Sequence, residues 1–500
     1  MNNVAQQFLN LPAERRLPRW VNLLIVLGAA LAGVAVGWLT VSGPGMTLLA
    51  AGVFGAIAAL TIYMKVEIGL LLLIFISYNR FSDVLVQYHG LPSIAKALVG
   101  LLGVTLFARW LILGEDIRGI RRPLMMMGAY GFITFISLLY VPDFNQAQTM
   151  LLDYVDDAAI TLMVAVLFQR GGFVKHAVWA LILSGLFMAS ISVFQYLTGT
   201  FENEYWGFGN APVMNIVGGS DEPRIAGPFG SPNAFAQVLV VIVPLAFDRL
   251  VHERSRLLKL IAAAAFVLCA LGVIFTFSRG AFVALALVGV LLMVQYRPPL
   301  QWLLVGALAV AAILPLLPPQ YTERISTLTE ILPGSQNVGV TDASFRGRTS
   351  EYLVGLMMFV DHPVLGVGVN NFTNSYLRYA RQLGIDQRGE ERGAHSLYIQ
   401  IAAEQGLLGV AVFTLILFKV FQSLHEARRG FLALGKRDLA YLCLALMVGF
   451  TGYLTSSLFI HLSYPRMFWL IVGMSLAMPT AVEYARERLR KNNQYQQVPL

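Results

Sequence analysis

One histidine, three arginines and a polar helical stripe are the parts of this chain whose types and spacing could do chemistry. His395 lies in GAHSLYIQIAAEQGLLG (393–409), at the boundary between a long stretch of mixed charge and an apolar run longer than one helical span. An imidazole titrates near neutrality, so at such a boundary it can take a proton from an attacking hydroxyl; a histidine opening a helix can also be a cap or a surface residue. Ser396, Gln400 and Glu404 recur at i, i+4 and share one helix face. A polar face at membrane depth must meet protein or water, because lipid cannot satisfy it. Arg224 stands in RIAGPFGSPN, ahead of a helix start with Ser231 as N-cap and Pro232 at the first helical position. It is either an anion cradle beside a helix N-terminus or an ordinary loop arginine. Arg279 interrupts a long apolar stretch in FTFSRGAFVALAL. A buried arginine is costly unless paired or snorkelling, so it marks either a functional contact or a tight outer turn that reaches headgroups. Guanidinium groups suit a diphosphate, since their planar fork matches phosphate oxygens and stays charged at any working pH. Arg348, in SFRGRTSEYLVG, is a third candidate for anion contact, with a solvated charge as the plainer reading. Asp153, Asp156 and Asp157, near the end of an apolar span, would pair with an arginine or line the site, and pairing is the reading preferred. No His/Cys/Asp cluster has metal-ligand spacing and no Gly-rich loop follows a strand, so no metal or other cofactor is inferred.

The elements that position these residues are helices crossing a membrane. Of 500 residues, 57% are hydrophobic and 13% charged, which excludes a soluble globule. Cys269 and Cys443 lie inside apolar runs and read as small core residues, not as a disulfide framework. Apolar segments of spanning length recur at 20–39, 44–64, 66–78, 93–113, 123–141, 149–168, 172–198, 233–250, 257–277, 280–295, 300–317, 397–421, 439–461 and 464–481. The fold class expected is all-α, a polytopic integral membrane protein with about 12–14 transmembrane helices and a large, partly helical periplasmic loop. The domain division follows: a cytoplasmic tail (1–19), an N-terminal bundle (20–198), a loop with Arg224 (199–232), helices flanking Ser278-Arg279-Gly280 (233–317), the large loop (318–396), the C-terminal helices (397–481) and a cytoplasmic tail (482–500).

Charge supplies the orientation. Arginine and lysine fall on alternate connections: Lys65; Arg118, Arg121 and Arg122; Arg170 and Lys175; Arg249, Arg254, Arg256 and Lys259; Arg297; and Arg428, Arg429, Lys436 and Arg437. The positive-inside rule then puts both termini in the cytoplasm. The formal net charge of +8 is largely this signal, and no nucleic-acid partner is needed to explain it. The same topology, built without Arg224, Arg279 or His395, brings all three to one membrane face.

Four motifs carry a resemblance. His-Ser, nine residues, then Gly-x-x-Gly (395–409); Arg-x-x-Gly-x-Phe-x-x-Pro-Asn (224–233); Ser-Arg-Gly (278–280); and Gly-Arg (347–348) ahead of His-Pro-x-x-Gly-x-Gly (362–368) occur in the order shown by the O-antigen ligase/polymerase superfamily, which this chain resembles from about residue 185 to 418. The family's serine before Gly-Arg is displaced here to Ser344, and Arg346 is an alternative to Arg348. His362 reads as fixing the turn before Pro363. The resemblance implies a metal-independent, inverting glycosyltransferase of the bacterial inner membrane, moving a glycan from a polyprenyl (undecaprenyl) diphosphate carrier onto an acceptor hydroxyl at the periplasmic face. It implies His395, Arg224 and Arg279 as catalytic residues, with Arg224, Arg279 and Arg348 on the donor diphosphate.

Lipid A-core, a second lipid-linked glycan or a protein hydroxyl would each serve as acceptor within that superfamily. The histidine motif agrees with its ligase-type signature, as in lipopolysaccharide or exopolysaccharide assembly; a polymerase or a protein O-oligosaccharyltransferase is the alternative. A transporter of lipid-linked sugar is the rival from another class. It should show inverted repeats and polar residues near the midplane, and neither is visible.

Overall fold

The computed structural model describes residues 65–115, 117–141, 144–168, 172–217, 220–297, 343–385, 392–461 and 465–496. The expected spans at 20–39, 44–64 and 300–317 lie outside them, as do residues 318–342. The architecture is an all-α polytopic membrane protein. Its helices are α1 (Val66–Tyr78), α2 (Phe81–His89), α3 (Ile94–Leu113), α4 (Arg121–Ser137), α5 (Phe144–Phe168), α6 (Val174–Thr198), α7 (Pro232–His252), α8 (Arg256–Phe275), α9 (Arg279–Tyr296), α10 (Ala343–Asp361), α11 (Phe372–Leu383), α12 (Leu397–Ala433), α13 (Arg437–Ser456) and α14 (Pro465–Gln496). Among the described residues, eight helices are long and apolar enough to cross a membrane, or nine if α1 and α2, bent by 59°, make one broken span.

Burial separates the bundle's centre from its rim. The apolar windows of α7 and α14 are 83% buried, whereas those of α8 and α9 are 28% buried. The open side of these outer helices carries Leu257, Leu260, Val267, Val290, Met293 and Val294, the lining that acyl chains would meet. At the centre, α7 and α13 touch backbone to side chain: a Cβ on Gly449 would stand 2.8 Å from the Val241 carbonyl oxygen. Small residues permit such approach where no hydrophobic effect drives helices together. Cys269 and Cys443 are buried free thiols inside α8 and α13, as their apolar surroundings lead one to expect.

Alternation of the helices produces two faces. On one face meet the start of α7 and the ends of α8 and α13: Arg224 reaches the Thr276 carbonyl, Gln237 donates to Ser457 Oγ at 2.7 Å, and the Leu397 amide donates to the Ser457 carbonyl at 3.0 Å. On the other face Tyr296 donates to Asp248, His252 stacks on Tyr441, and Arg122 pairs with Glu426.

Two departures from the sequence reading concern local structure. Residues 199–232 hold an antiparallel hairpin, β1 (Val213–Val217) with β2 (Ser220–Pro223), in a segment read only as turns. The helix after His395 is not continuous either, because Gly406 breaks α12 with φ 61° and ψ −157°. The groups freed by that break are taken up by the turn after α10. Val367 and Gly368 amides donate to the Ala403 and Glu404 carbonyls, and the Leu407 and Leu408 amides donate to the Pro363 and Val364 carbonyls. The Gly-x-Gly turn and the Gly-x-x-Gly element are thus two halves of one interlock. A Cβ on Gly406 would lie 2.5 Å from the Val364 carbonyl carbon, and one on Gly366 2.3 Å from that of Glu404. Gly406→Ala is therefore expected to destabilise the fold by about 3 kcal/mol or more. Gly384→Ala, at a similar φ but in the ordinary left-handed region (ψ 20°) and with open space around it, should cost only about 1 kcal/mol. Thermal unfolding of the two variants in the same detergent checks the contrast.

Candidate active site

Four segments build the site on one face of the bundle, and the turn at Ser457–His461 is where they meet. Tyr352 of α10 donates to the Leu458 carbonyl at 2.6 Å, and the start of α12 is tied to Ser457. Gly280 lies so close to Phe459 that a Cβ there would fall 2.5 Å from its ring, and the Arg348 guanidinium sits 6.0 Å from the centroid of the same ring.

Around Phe459 opens a cavity of about 430 Å³ lined by Arg279, Arg348, Tyr352 and the apolar side chains of Val283, Leu353, Leu356 and Ile399. Ser278 is the extended residue before α9, which makes Arg279 its first residue and leaves it half-buried at the helix N-terminus. Phe277 ahead of it is left-handed (φ 53°), a conformation that non-glycine residues hold only where the surroundings enforce it. Two cations and a helix N-terminus at the mouth of an apolar wall suit an anionic head carried on a hydrocarbon tail. Of the two arginines weighed in the 344–348 segment, Arg348 lines the cavity. The Arg346 side chain falls outside the described residues.

Arg224 is placed differently. It is almost fully buried, donates through Nε to the Thr276 carbonyl at 2.8 Å and through Nη2 to Asn233 at 3.3 Å, and is not among the residues lining the cavity. Asn233 follows the Ser231 cap, whose hydroxyl accepts from the Ala234 amide. Arg224 thus ties the start of α7 to the turn that presents Arg279.

His395 is held on the neighbouring side of α10. Its φ of 42° is left-handed, and the next residue is extended, so the ring is turned back toward the loop. Nδ1 lies 3.1 Å from the Gly393 carbonyl and 3.2 Å from Glu351 Oε2. Glu351 is buried, and its other oxygen accepts from Arg392 at 3.4 Å. With Nδ1 engaged, Nε2 is the nitrogen available to a substrate, and the side chain is 40% exposed. The hydrogen bond that His395 donates to Glu351, followed by the charge of that carboxylate, holds the His395 pKa above that of free imidazole against burial, which lowers it.

His461 packs edge-on to His395, ring centroids 5.7 Å apart. Burial, and then the neighbouring His395, push its pKa down to about 4. Two adjacent imidazoles therefore have opposed shifts, one raised by its carboxylate partner and the other lowered by burial.

Neither Glu351 nor His461 was singled out from the sequence. Glu351 follows Arg348 by one helical turn, a spacing that could have flagged it; His461 ends an apolar run and carries no motif. The other sequence candidates fall into place around the site. Gln400 Nε2 donates to Glu404 at 3.3 Å, and Glu404 accepts the Phe372 amide that opens α11, so the stripe faces protein as required. The His362 carbonyl accepts from Gly366, closing the turn at Pro363. Asp157 pairs with Arg466 at 3.0 Å, and Arg466 reaches Asp83 at 3.5 Å, so α2, α5 and α14 are joined by charge. Asp153 lines a small crevice with Gln400 and Glu404.

Comparison with known proteins bears on the same region. No curated protein matches the chain. Residues 264–414 match the O-antigen ligase family, a stretch that contains Arg279, α10 with Arg348 and Glu351, the interlocked glycine turns and His395, while Arg224 lies ahead of it. This match supports the chain's membership of the O-antigen ligase-like superfamily.

Proposed function

We propose that this protein is a glycosyltransferase that moves a glycan from a polyprenyl diphosphate carrier to an acceptor hydroxyl at the periplasmic face of the bacterial inner membrane, in the manner of an O-antigen ligase. The observation that carries the reading is the adjacency of two unlike environments across α10: a cationic, apolar-walled cavity on one side, and a histidine backed by a buried carboxylate on the other. Arg279 and Arg348 hold the diphosphate, and the wall of Val283, Leu353, Leu356 and Ile399 takes the first isoprene units. His395 Nε2 accepts the proton of the acceptor hydroxyl as its oxygen attacks the anomeric carbon. The bond from that carbon to the diphosphate oxygen breaks, and the arginines keep the departing diphosphate charge neutralised. Displacement from the opposite face inverts the anomeric centre. Arg224 acts through the turn it braces.

Purified protein incubated with a polyprenyl diphosphate glycan and, in separate reactions, lipid A-core, a second lipid-linked glycan and a protein acceptor tests the reading. Sugar gained by lipid A-core identifies a ligase, chain growth on the carrier a polymerase. No transfer to any of the three overturns it.

Orientation has its own test. In a background with Cys269 and Cys443 replaced by alanine, cysteines at the exposed positions of Glu204 and Asn374 should react with an impermeant thiol reagent in intact cells stripped of their outer barrier. One at Arg254 should react only after lysis. The reverse pattern would invert the proposed topology.

A further inference from the structure

Away from the catalytic cavity, the segment that leads to Arg224 forms a second open groove, of about 640 Å³, between the end of α2 and residues 202–207. Its character is aromatic and acidic. Trp206 is 78% exposed, Tyr88 is 38% exposed, and Tyr205, Glu202, Asn203 and Glu204 share the lining. Tyr205 (φ 46°) and Trp206 (φ 59°) are consecutive left-handed non-glycine residues. A chain under no constraint would place glycine or asparagine at such positions, so strain is being spent on displaying an indole.

The display is also rigid. The Tyr205 amide donates to Asn203 Oδ1 at 2.9 Å, and Gly207 and Gly209 amides donate to the Glu204 carbonyl. Gln195, buried in α6, donates to the Asn203 carbonyl at 2.9 Å and to that of Gly209. His89 contacts the Trp206 carbonyl at 3.2 Å, and Tyr88 donates to Asn210 at 2.8 Å. Asn210 continues into the active-site loop: its carbonyl accepts from the Ala226 amide at 2.8 Å, and the Arg224 backbone amide donates to the Pro212 carbonyl at 3.1 Å.

From this arrangement we infer that the Trp206 groove is a saccharide-binding subsite, which holds a length of glycan chain away from the reacting sugar. The inference rests on the glycan-transfer reading above for the kind of occupant. The chemistry of the lining favours that occupant independently. A flat indole beside a phenol offers faces for the C–H side of pyranose rings, while carboxylates and an amide accept and donate to ring hydroxyls. An interfacial membrane anchor would pair its tryptophan with lysine or arginine, to meet anionic headgroups. Here the neighbours are Glu202 and Glu204, which repel them. Preorganisation of the loop spares a bound glycan the ordering cost that a flexible loop would impose.

The test uses the full chain in nanodiscs and, as probe, lipid-free polysaccharide released by mild acid from the cells that make the protein. Wild type and Arg279→Ala should bind it equally, because the donor cavity is not engaged. Trp206→Phe should keep most of the binding, and Trp206→Gly should lose about tenfold, the scale of one aromatic stacking contact. Trp206→Gly should also melt at a higher temperature than wild type, because glycine relieves the left-handed strain. Weaker binding by a more stable variant would not follow from a merely structural role. Binding unchanged in Trp206→Gly overturns the subsite even if glycan transfer proceeds normally; binding lost in Trp206→Gly upholds the subsite even if no acceptor gains sugar. A third measurement addresses lipid: the fluorescence difference between wild type and Trp206→Phe should not be quenched by brominated phospholipid, and quenching would assign Trp206 to the membrane surface instead.

Discussion

His395→Ala is expected to lower turnover by roughly 10²- to 10⁴-fold, the range for a lost general base, while leaving donor binding nearly intact. The separation follows from position: the histidine lies across α10 from the cavity that holds Arg279 and Arg348, so its removal touches the acceptor proton and not the diphosphate. His395→Gln should not restore the rate, since an amide has the reach but cannot take a proton. The pH profile adds an independent check through Glu351. Only neutral imidazole can act as base, so activity should rise with pH through the raised His395 pKa. Glu351→Gln removes the largest cause of that rise, so the acid limb should move to lower pH, with a weaker base and a lower plateau. An unmoved limb would deny Glu351 its positioning role, and an active His395→Gln enzyme would reduce His395 to a residue that shapes the helix start.

Arg279→Ala should lose donor binding and turnover together, because a charge-assisted contact to phosphate stabilises ground state and transition state alike. Removing one such contact is worth about 1.5–3 kcal/mol, or roughly 10- to 100-fold in donor affinity. Arg279→Lys should recover part of it, since an ammonium supplies charge without the planar fork. Arg348→Ala should behave in the same sense with a smaller loss, being on a separate element that flanks the cavity. Arg224→Ala should differ from both: its guanidinium is committed to Thr276 and Asn233, so the expected effect is a lower melting temperature together with weakened donor binding. Equilibrium binding of a labelled polyprenyl diphosphate, run beside turnover and melting, separates the three patterns. Full donor affinity in Arg279→Ala would remove the arginine from the diphosphate.

What could be read from the sequence follows the range of each physical signal. Apolar runs of spanning length stood out because lipid admits few alternatives to a helix, and α3, α6 to α9, α13 and α14 start within a few residues of where those runs do. Ser231 and Pro232 marked the α7 start because capping is a local event. Cys269 and Cys443 followed from their apolar surroundings. The hairpin at 213–223 was missed because NIVGGSDEP has no alternation, although Gly218-Gly219 between the two strands is a connection that hairpins favour. Glu351 was missed for a different reason. On a helix outside the membrane a glutamate near two arginines looks solvated, and only the approach of His395 from 44 positions later in the chain makes it a buried partner. His461 reads as the end of a span until His395 is placed against it. Gly406 and Gly366 could be recognised as a pattern, yet the reason for both is a contact between them that no local window contains.

That interlock changes what counts as a unit of exchange in this fold. The loop helix α10 carries Arg348 and Glu351, the membrane helix α12 carries His395 at its start, and the paired glycine turns fasten one to the other. A chimera that replaced only residues 318–396 with those of a relative would cut between two surfaces shaped to each other, and would misplace the carboxylate relative to the imidazole it orients. The transplantable module instead runs from residue 343 through Gly409, across the division at residue 396 that the sequence suggests. Acceptor preference, if grafted from one such protein to another, should travel with that module whole.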